Sequence, residues 1–191
     1  MRPPKIIKPY VTSFARNATG LIDVDLRYLD CTPLNRLSDS DCFPFIESHV
    51  AEHGGERIIG WAIWERPKVF IEAEFHAVWK APDGSLHDIV PRRLPIPRIL
   101  FLRDPRRHYK GVQVNNVRKA LTNDKNVKEL IRIFDLSHRL YNEGDLAEYH
   151  GPINIMEHPK LFAIEREKAA ICQKIDHSYG PWTCESKPTG G

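Results

Sequence analysis

Residues 69–80, Val-Phe-Ile-Glu-Ala-Glu-Phe-His-Ala-Val-Trp-Lys, constrain the fold more than any other stretch. Strand alternation puts Val69, Ile71, Ala73, Phe75, Ala77 and Trp79 on one face, and Phe70, Glu72, Glu74, His76 and Val78 on the other. An unbroken apolar face of that length demands a covering layer. Residues 57–65 are equally rich in β-branched and aromatic side chains, and Arg66-Pro67-Lys68 separates the two runs, so both are predicted strands. Ala81-Pro82-Asp83-Gly84-Ser85 then suits a three-residue hairpin loop, with Gly84 in the left-handed conformation, leading into a third strand at 86–90. Pairing Ala81 with Ser85 sets Val78 opposite Asp88 and His76 opposite Val90. Asp88 thereby becomes the diagonal neighbour of His76 on one face. A two-residue Asp-Gly turn would shift the register by one and send Asp88 to the other side; Pro82 supports the longer loop.

Ahead of these strands, Ser38-Asp39-Ser40-Asp41 offers N-caps for a helix over Cys42–His53, which Gly54-Gly55 stops. Pro44 fits there because the first turn needs no donor. Residues 1–41 otherwise read as irregular chain with short strands such as 21–26. Residues 91–111 read as a long surface connection with one buried stretch, Ile99-Leu100-Phe101-Leu102. Helices are predicted at 114–121, 127–141 and 159–177, with Val127, Leu130, Ile131, Phe134 and Tyr141 on one face of the middle one. The expected architecture is a single α+β domain over 1–180: a small antiparallel sheet, the Cys42 helix packed on it, and a helical carboxy-terminal part from 114, followed by a flexible tail at 181–191.

Hydrophobic residues at 41% and four tryptophans are enough for a real core. Lys and Arg number 28 against 25 Asp and Glu, a net +3 that is too mild to imply nucleic acid. No apolar run approaches the roughly 18 residues of a membrane span, and the amino terminus lacks the apolar core of a secretory signal. Cys31, Cys42, Cys172 and Cys184 are too sparse and unevenly spaced for a disulfide framework. Reduced thiols in a cytoplasmic protein are expected, and an effector exported without a cleaved signal would look the same.

The chemistry is suggested by order along the chain: Cys42 opening a helix, His76 in a strand, Asp88 after a turn. A helix N-terminus favours a thiolate, an imidazole can take the thiol proton, and a carboxylate can orient the imidazole. Together with Asp83-Gly84 and Asp88-Ile89-Val90-Pro91, the stretch His76-Ala77-Val78-Trp79 resembles the core of transglutaminase-like, papain-like cysteine enzymes, over residues 38–91. The resemblance extends to Gly60-Trp61, similar to that superfamily's glycine-bearing second strand, and to a module of uncharacterised bacterial proteins. It implies Cys42 as nucleophile, His76 as base and Asp88 as orienter, in a peptidase, glutamine deamidase or acyltransferase acting on a protein or peptide without a cofactor. Papain-type enzymes carry a glutamine before the cysteine to bind the oxyanion; here Asn35 is the available donor.

Arg92, Arg93, Arg98, Arg103, Arg106, Arg107 and Lys110 face only Asp104 in their window. Arg92, Arg93, Arg106 and Arg107 are therefore candidates for holding an anion or an acidic partner. A binding module that uses this segment to hold a protein or nucleic acid, without turnover, is the alternative function. His49 and His53 are assigned to an exposed helix face, and Glu72 and Glu74 to a solvated strand face. Cys172, His177 and Cys184 match no common zinc spacing, so no metal is assigned and Cys172 is placed in the core.

Overall fold

The structure is a computed structural model in which residues 1–34, 41–92, 96–148 and 153–181 are described. The predicted antiparallel sheet is present, with helices on one face and at its far end. Helix α1 (Pro9–Thr19) and strand β1 (Leu26–Asp30) precede α2 (Cys42–His53). Strands β2 (Glu56–Arg66), β3 (Phe70–Lys80), β4 (Leu86–His87), β5 (Arg98–Arg103) and β6 (Val117–Ala120) follow, then α3 (Lys125–Tyr141) and α4 (Pro159–Tyr179). The sheet order is β1-β5-β2-β3-β4, and β6 pairs with β3 beside that path.

Residues 71–77 of β3 behave as the alternation demands. Ile71, Ala73, Phe75 and Ala77 pack with Trp61 and Ile63 beneath Val11 and Phe14 of α1 and Phe43, Phe45 and Ile46 of α2. The opposite face is not solvated. The sheet curls until its two ends meet: Cys31, just past β1, bridges Asp88, just past β4, in parallel. Three backbone bonds fix the seam, Asp88 N–H to Asp30 O (3.3 Å), Thr32 N–H to Asp88 O (2.9 Å) and Leu34 N–H to Ile89 O (3.1 Å). The inner face so formed has its own apolar filling of Leu29, Ile58, Ala62, Trp64, Val78, Ile99 and Phe101. Gly60 is required there, since a Cβ would collide with the Leu102 carbonyl and the Phe101 ring.

A third cluster forms where α3 and α4 cover the tip of the β2–β3 hairpin, burying Val69 and Phe70 against Val127, Leu130, Ile133, Ile164, Ile171 and Ile175. Arg66 clamps α4 by donating to Asp176 (2.8 Å) and to the Gly180 carbonyl (2.7 Å). Cys172 is half-buried at the edge of this cluster.

Several expectations are corrected. The amino-terminal stretch holds a helix, α1, with proline in its first turn and Gly20 closing it at φ 68°; Val11, Phe14 and Ala15 supply its buried face. The strand expected at 21–26 lies instead at Leu26–Asp30. Residues 98–103 form a paired inner strand, β5, lying between β1 and β2, not a surface connection. The helix expected at 114–121 is also absent: Val117–Ala120 adds to the free edge of β3 at Phe70–Ala73. Eight residues carry too few turns for a helical period to outweigh an available sheet edge. The tail at 182–191 lies outside the described residues.

Candidate active site

The hairpin loop decides whether Asp88 can meet His76. Ala81 N–H donates to Ser85 O (2.9 Å), Gly84 N–H donates to Ala81 O (2.8 Å) and Gly84 has φ 87°, the three-residue loop read from Pro82. Trp79 pairs with His87 and Lys80 with Leu86, the predicted register. Asp88 Oδ1 then lies 3.2 Å from His76 Nε2.

Cys42 is brought to the same place by the shape of the sheet edge. β4 covers β3 only at Trp79 and Lys80, and β6 only at Phe70–Ala73. Residues 74–78 are left without a paired strand on that side, and the first turn of α2 stands at the gap. Phe43 anchors that turn, its ring 4.9 Å from Phe75 and stacked at 4.1 Å on Tyr109. Cys42, in the preceding position, hydrogen-bonds His76. Asp88 faces Nε2 and so leaves Nδ1 as the ring nitrogen available to the thiol. A cleft of about 340 Å³ opens over these groups, lined by Cys42, His76, Glu74, Arg92, Tyr109 and Gln113 among others.

The electrostatics follow from burial and charge. Asp88 is 0% exposed and His76 3%. Burial alone would push the imidazole down, but its hydrogen bonds to Asp88 and Cys42, with the negative charge of both, push it up to about 10. Burial likewise opposes ionisation of Asp88, yet His76 and Arg92 hold its carboxyl below the usual range. Arg92 Nη1 is 2.5 Å from Asp88 Oδ2, and its guanidinium carbon lies 5.8 Å from the centre of the Trp64 ring. Cys31 sits behind the carboxylate, donating to Asp88 Oδ2 at 3.5 Å. Burial, then the Asp88 charge, pushes its thiol up to about 12, so it remains protonated. The two thiols near the site therefore differ sharply: one meets the imidazole, the other only a carboxylate.

Other assignments change. The ring of His76 borders a cleft but is not on a solvated face, being buried by the curled sheet. Glu72 and Glu74 are not on a solvated face either, since Glu72 pairs with Arg118 and Glu74 accepts from Trp64 Nε1 at 2.6 Å. Burial and the neighbouring Glu74 charge push Glu72 up, against the pull of Arg118. His49 is 5% exposed, stacked on His53 at 4.2 Å and edge-on to Trp79 at 4.6 Å. The basic segment is not a single patch. Arg92 is turned into the site, Arg98 lies over Tyr28, and Arg106 donates to the Thr19 (2.8 Å) and Gly20 (3.2 Å) carbonyls that end α1. Arg107 lies apart from Arg92, 5.9 Å from the Trp61 ring centre.

Asn35, Arg93 and Cys184 lie outside the described residues. Among the described residues no group of three His, Cys, Asp or Glu side chains is placed to hold a metal, and no helix is long and apolar enough to cross a membrane. Gln113 and Asn116 line the cleft beside Tyr109 without having been singled out in the sequence. They stand on the β5–β6 loop, whose path depends on β6, and no local signal marks it. Comparison with family models, with characterised proteins and with solved structures found no match to this chain.

Proposed function

We propose that this protein is a cysteine-dependent amide hydrolase or acyltransferase, with Cys42 as nucleophile, His76 as general base and acid, and Asp88 as the group that orients the imidazole. The observation that carries it is the placement of one buried ring between a thiol and a carboxylate at the floor of a cleft. A thiol that hands its proton to Nδ1 becomes the stronger nucleophile, and the imidazolium it leaves is held by Asp88 through Nε2–H. Attack on an amide carbonyl gives a tetrahedral oxyanion beside the start of α2, where free backbone N–H groups and the helix dipole favour negative charge. Collapse passes the Nδ1 proton to the departing amine and leaves a thioester on Cys42. Water, deprotonated by the now neutral ring, cleaves the thioester to acid; an amine in its place yields a new amide. The reactions proposed at this cleft are glutamine side-chain deamidation or peptide cleavage of a protein substrate.

The test is alkylation followed by peptide mass spectrometry. Cys42 should react with iodoacetamide at about pH 6 far faster than a free thiol in solution, and His76→Ala should remove the excess. Slow labelling of Cys42, indifferent to His76, would overturn the assignment and favour a non-catalytic binding module.

A further inference from the structure

Nε2 of His76 faces two groups with opposite demands. Asp88 Oδ1 lies 3.2 Å away and can only accept a hydrogen bond. Arg92 Nη2 lies 3.3 Å away, and a guanidinium can only donate. With a proton on Nε2 the ring satisfies Asp88 and sets N–H against N–H at Arg92. Without it, Nε2 accepts from Arg92 and sets a lone pair against the carboxylate. No single protonation state serves both.

Taking Cys42 and His76 as the nucleophile and base proposed above, we infer that Arg92 is a positioning residue that opposes Asp88 at Nε2, restraining the imidazolium and moving the neutral ring toward its Nδ1–H tautomer. That tautomer points a proton at the thiol and cannot take another from it. The Nε2–H tautomer, which Asp88 selects, presents the lone pair the reaction needs. Arg92 is held where it can act: Nη1 is tied to Asp88 Oδ2 (2.5 Å) and to the Val90 carbonyl (3.3 Å), and its side chain is 21% exposed, at the cleft wall. Asp88 cannot answer with its full accepting capacity, because Val90 N–H (3.4 Å) and the Cys31 thiol (3.5 Å) also draw on it. The other charged or titratable groups around the ring are Cys42 and Asp41 at the start of α2, Glu74 on β3 and Tyr109 from the β5–β6 loop. Arg92 contacts Nε2 itself, alongside Asp88, so its removal bears on that atom directly.

The experiment is nitrogen-15 NMR of the His76 ring. In Cys42→Ala, where the thiol's support for the imidazolium is gone, the neutral ring should carry a substantial Nδ1–H population. Adding Arg92→Met should move the proton to Nε2, and in the otherwise native protein Arg92→Met should raise the His76 titration midpoint by on the order of one unit. A ring wholly Nε2–H in Cys42→Ala overturns the role of Arg92, even if Arg92→Met proves too unstable to study. A midpoint that falls or stays fixed in Arg92→Met overturns it as well. Slow, His76-independent alkylation of Cys42 would instead remove the proposed chemistry and leave a tautomer shift in place, so the two failures are separable.

Discussion

Replacing Asp88 by asparagine keeps the shape of a fully buried side chain and deletes its charge. Two cations then lose their shared anion, Arg92 at 2.5 Å and the His76 ring at 3.2 Å. Breaking a buried pair by neutralising one partner costs about 3–5 kcal/mol. The rise of His76 from 6.5 to about 10, to which Cys42 also contributes, sets an upper bound of about 5 kcal/mol on the ring's share. At roughly 2–4 °C per kcal/mol for a chain of this size, the melting temperature should fall by about 6–20 °C. The loss should depend on pH in a definite direction. A group raised in the folded state stabilises fully below its unfolded value, and that contribution disappears as pH climbs through the folded value. For His76 this means below 6.5 and toward about 10. Asp88 is depressed, so its contribution is present above the ordinary carboxylate range and is lost as pH falls through its lowered folded value. The difference in unfolding free energy between native protein and Asp88→Asn should therefore be largest at about pH 5–6.5 and shrink toward pH 10, leaving the Arg92 share. Urea titrations of both proteins across that range measure it, and titrations common to both cancel. A penalty that is flat, or that grows toward pH 10, would refute a charged His76 held by Asp88.

The same structure makes further commitments. Under limiting iodoacetamide, Cys42 should be modified before Cys31 and Cys172, whose thiols burial pushes upward; peptide mapping showing Cys31 first would contradict the site. Gly60→Ala should destabilise by at least about 1–3 kcal/mol through overpacking against Phe101 and the Leu102 carbonyl, read from the urea midpoint. Arg118→Ala strands the half-buried Glu72 carboxylate and should cost about 3–5 kcal/mol near neutral pH. Because Glu72 is already pushed up, protonation should relieve that penalty as pH falls, so an unchanged penalty in acid would count against the pair.

What the sequence revealed and concealed divides along the range of the interactions. The hairpin was legible because Pro82, Asp83 and Gly84 are local determinants of loop length, and loop length alone fixed which face Asp88 takes. The Cys42 helix and the apolar face of β3 were legible for the same reason. Helix α1 was obscured by the prolines around it. Strand β6 exists only because β3 offers an edge, and Val117–Ala120 carries no pattern strong enough to announce that. The closure of the sheet through Cys31 and Asp88 joins positions 57 residues apart; in the folded chain His76 is buried, and Glu72 and Glu74 are half-buried with partners, on a face that alternation alone marks as polar. Arg92 looked like one cation in a basic run. Only the folded seam turns it toward His76.

The claim on which the chemistry depends is that the His76 ring is charged because a thiol and a carboxylate flank it. NMR titration of that ring in the native protein and in Cys42→Ala tests this directly. The imidazolium should persist well above 6.5, toward about 10, and should lose its proton at distinctly lower pH once the sulfur is removed. A ring that titrates at or below 6.5 in both proteins, unmoved by loss of Cys42, would contradict it.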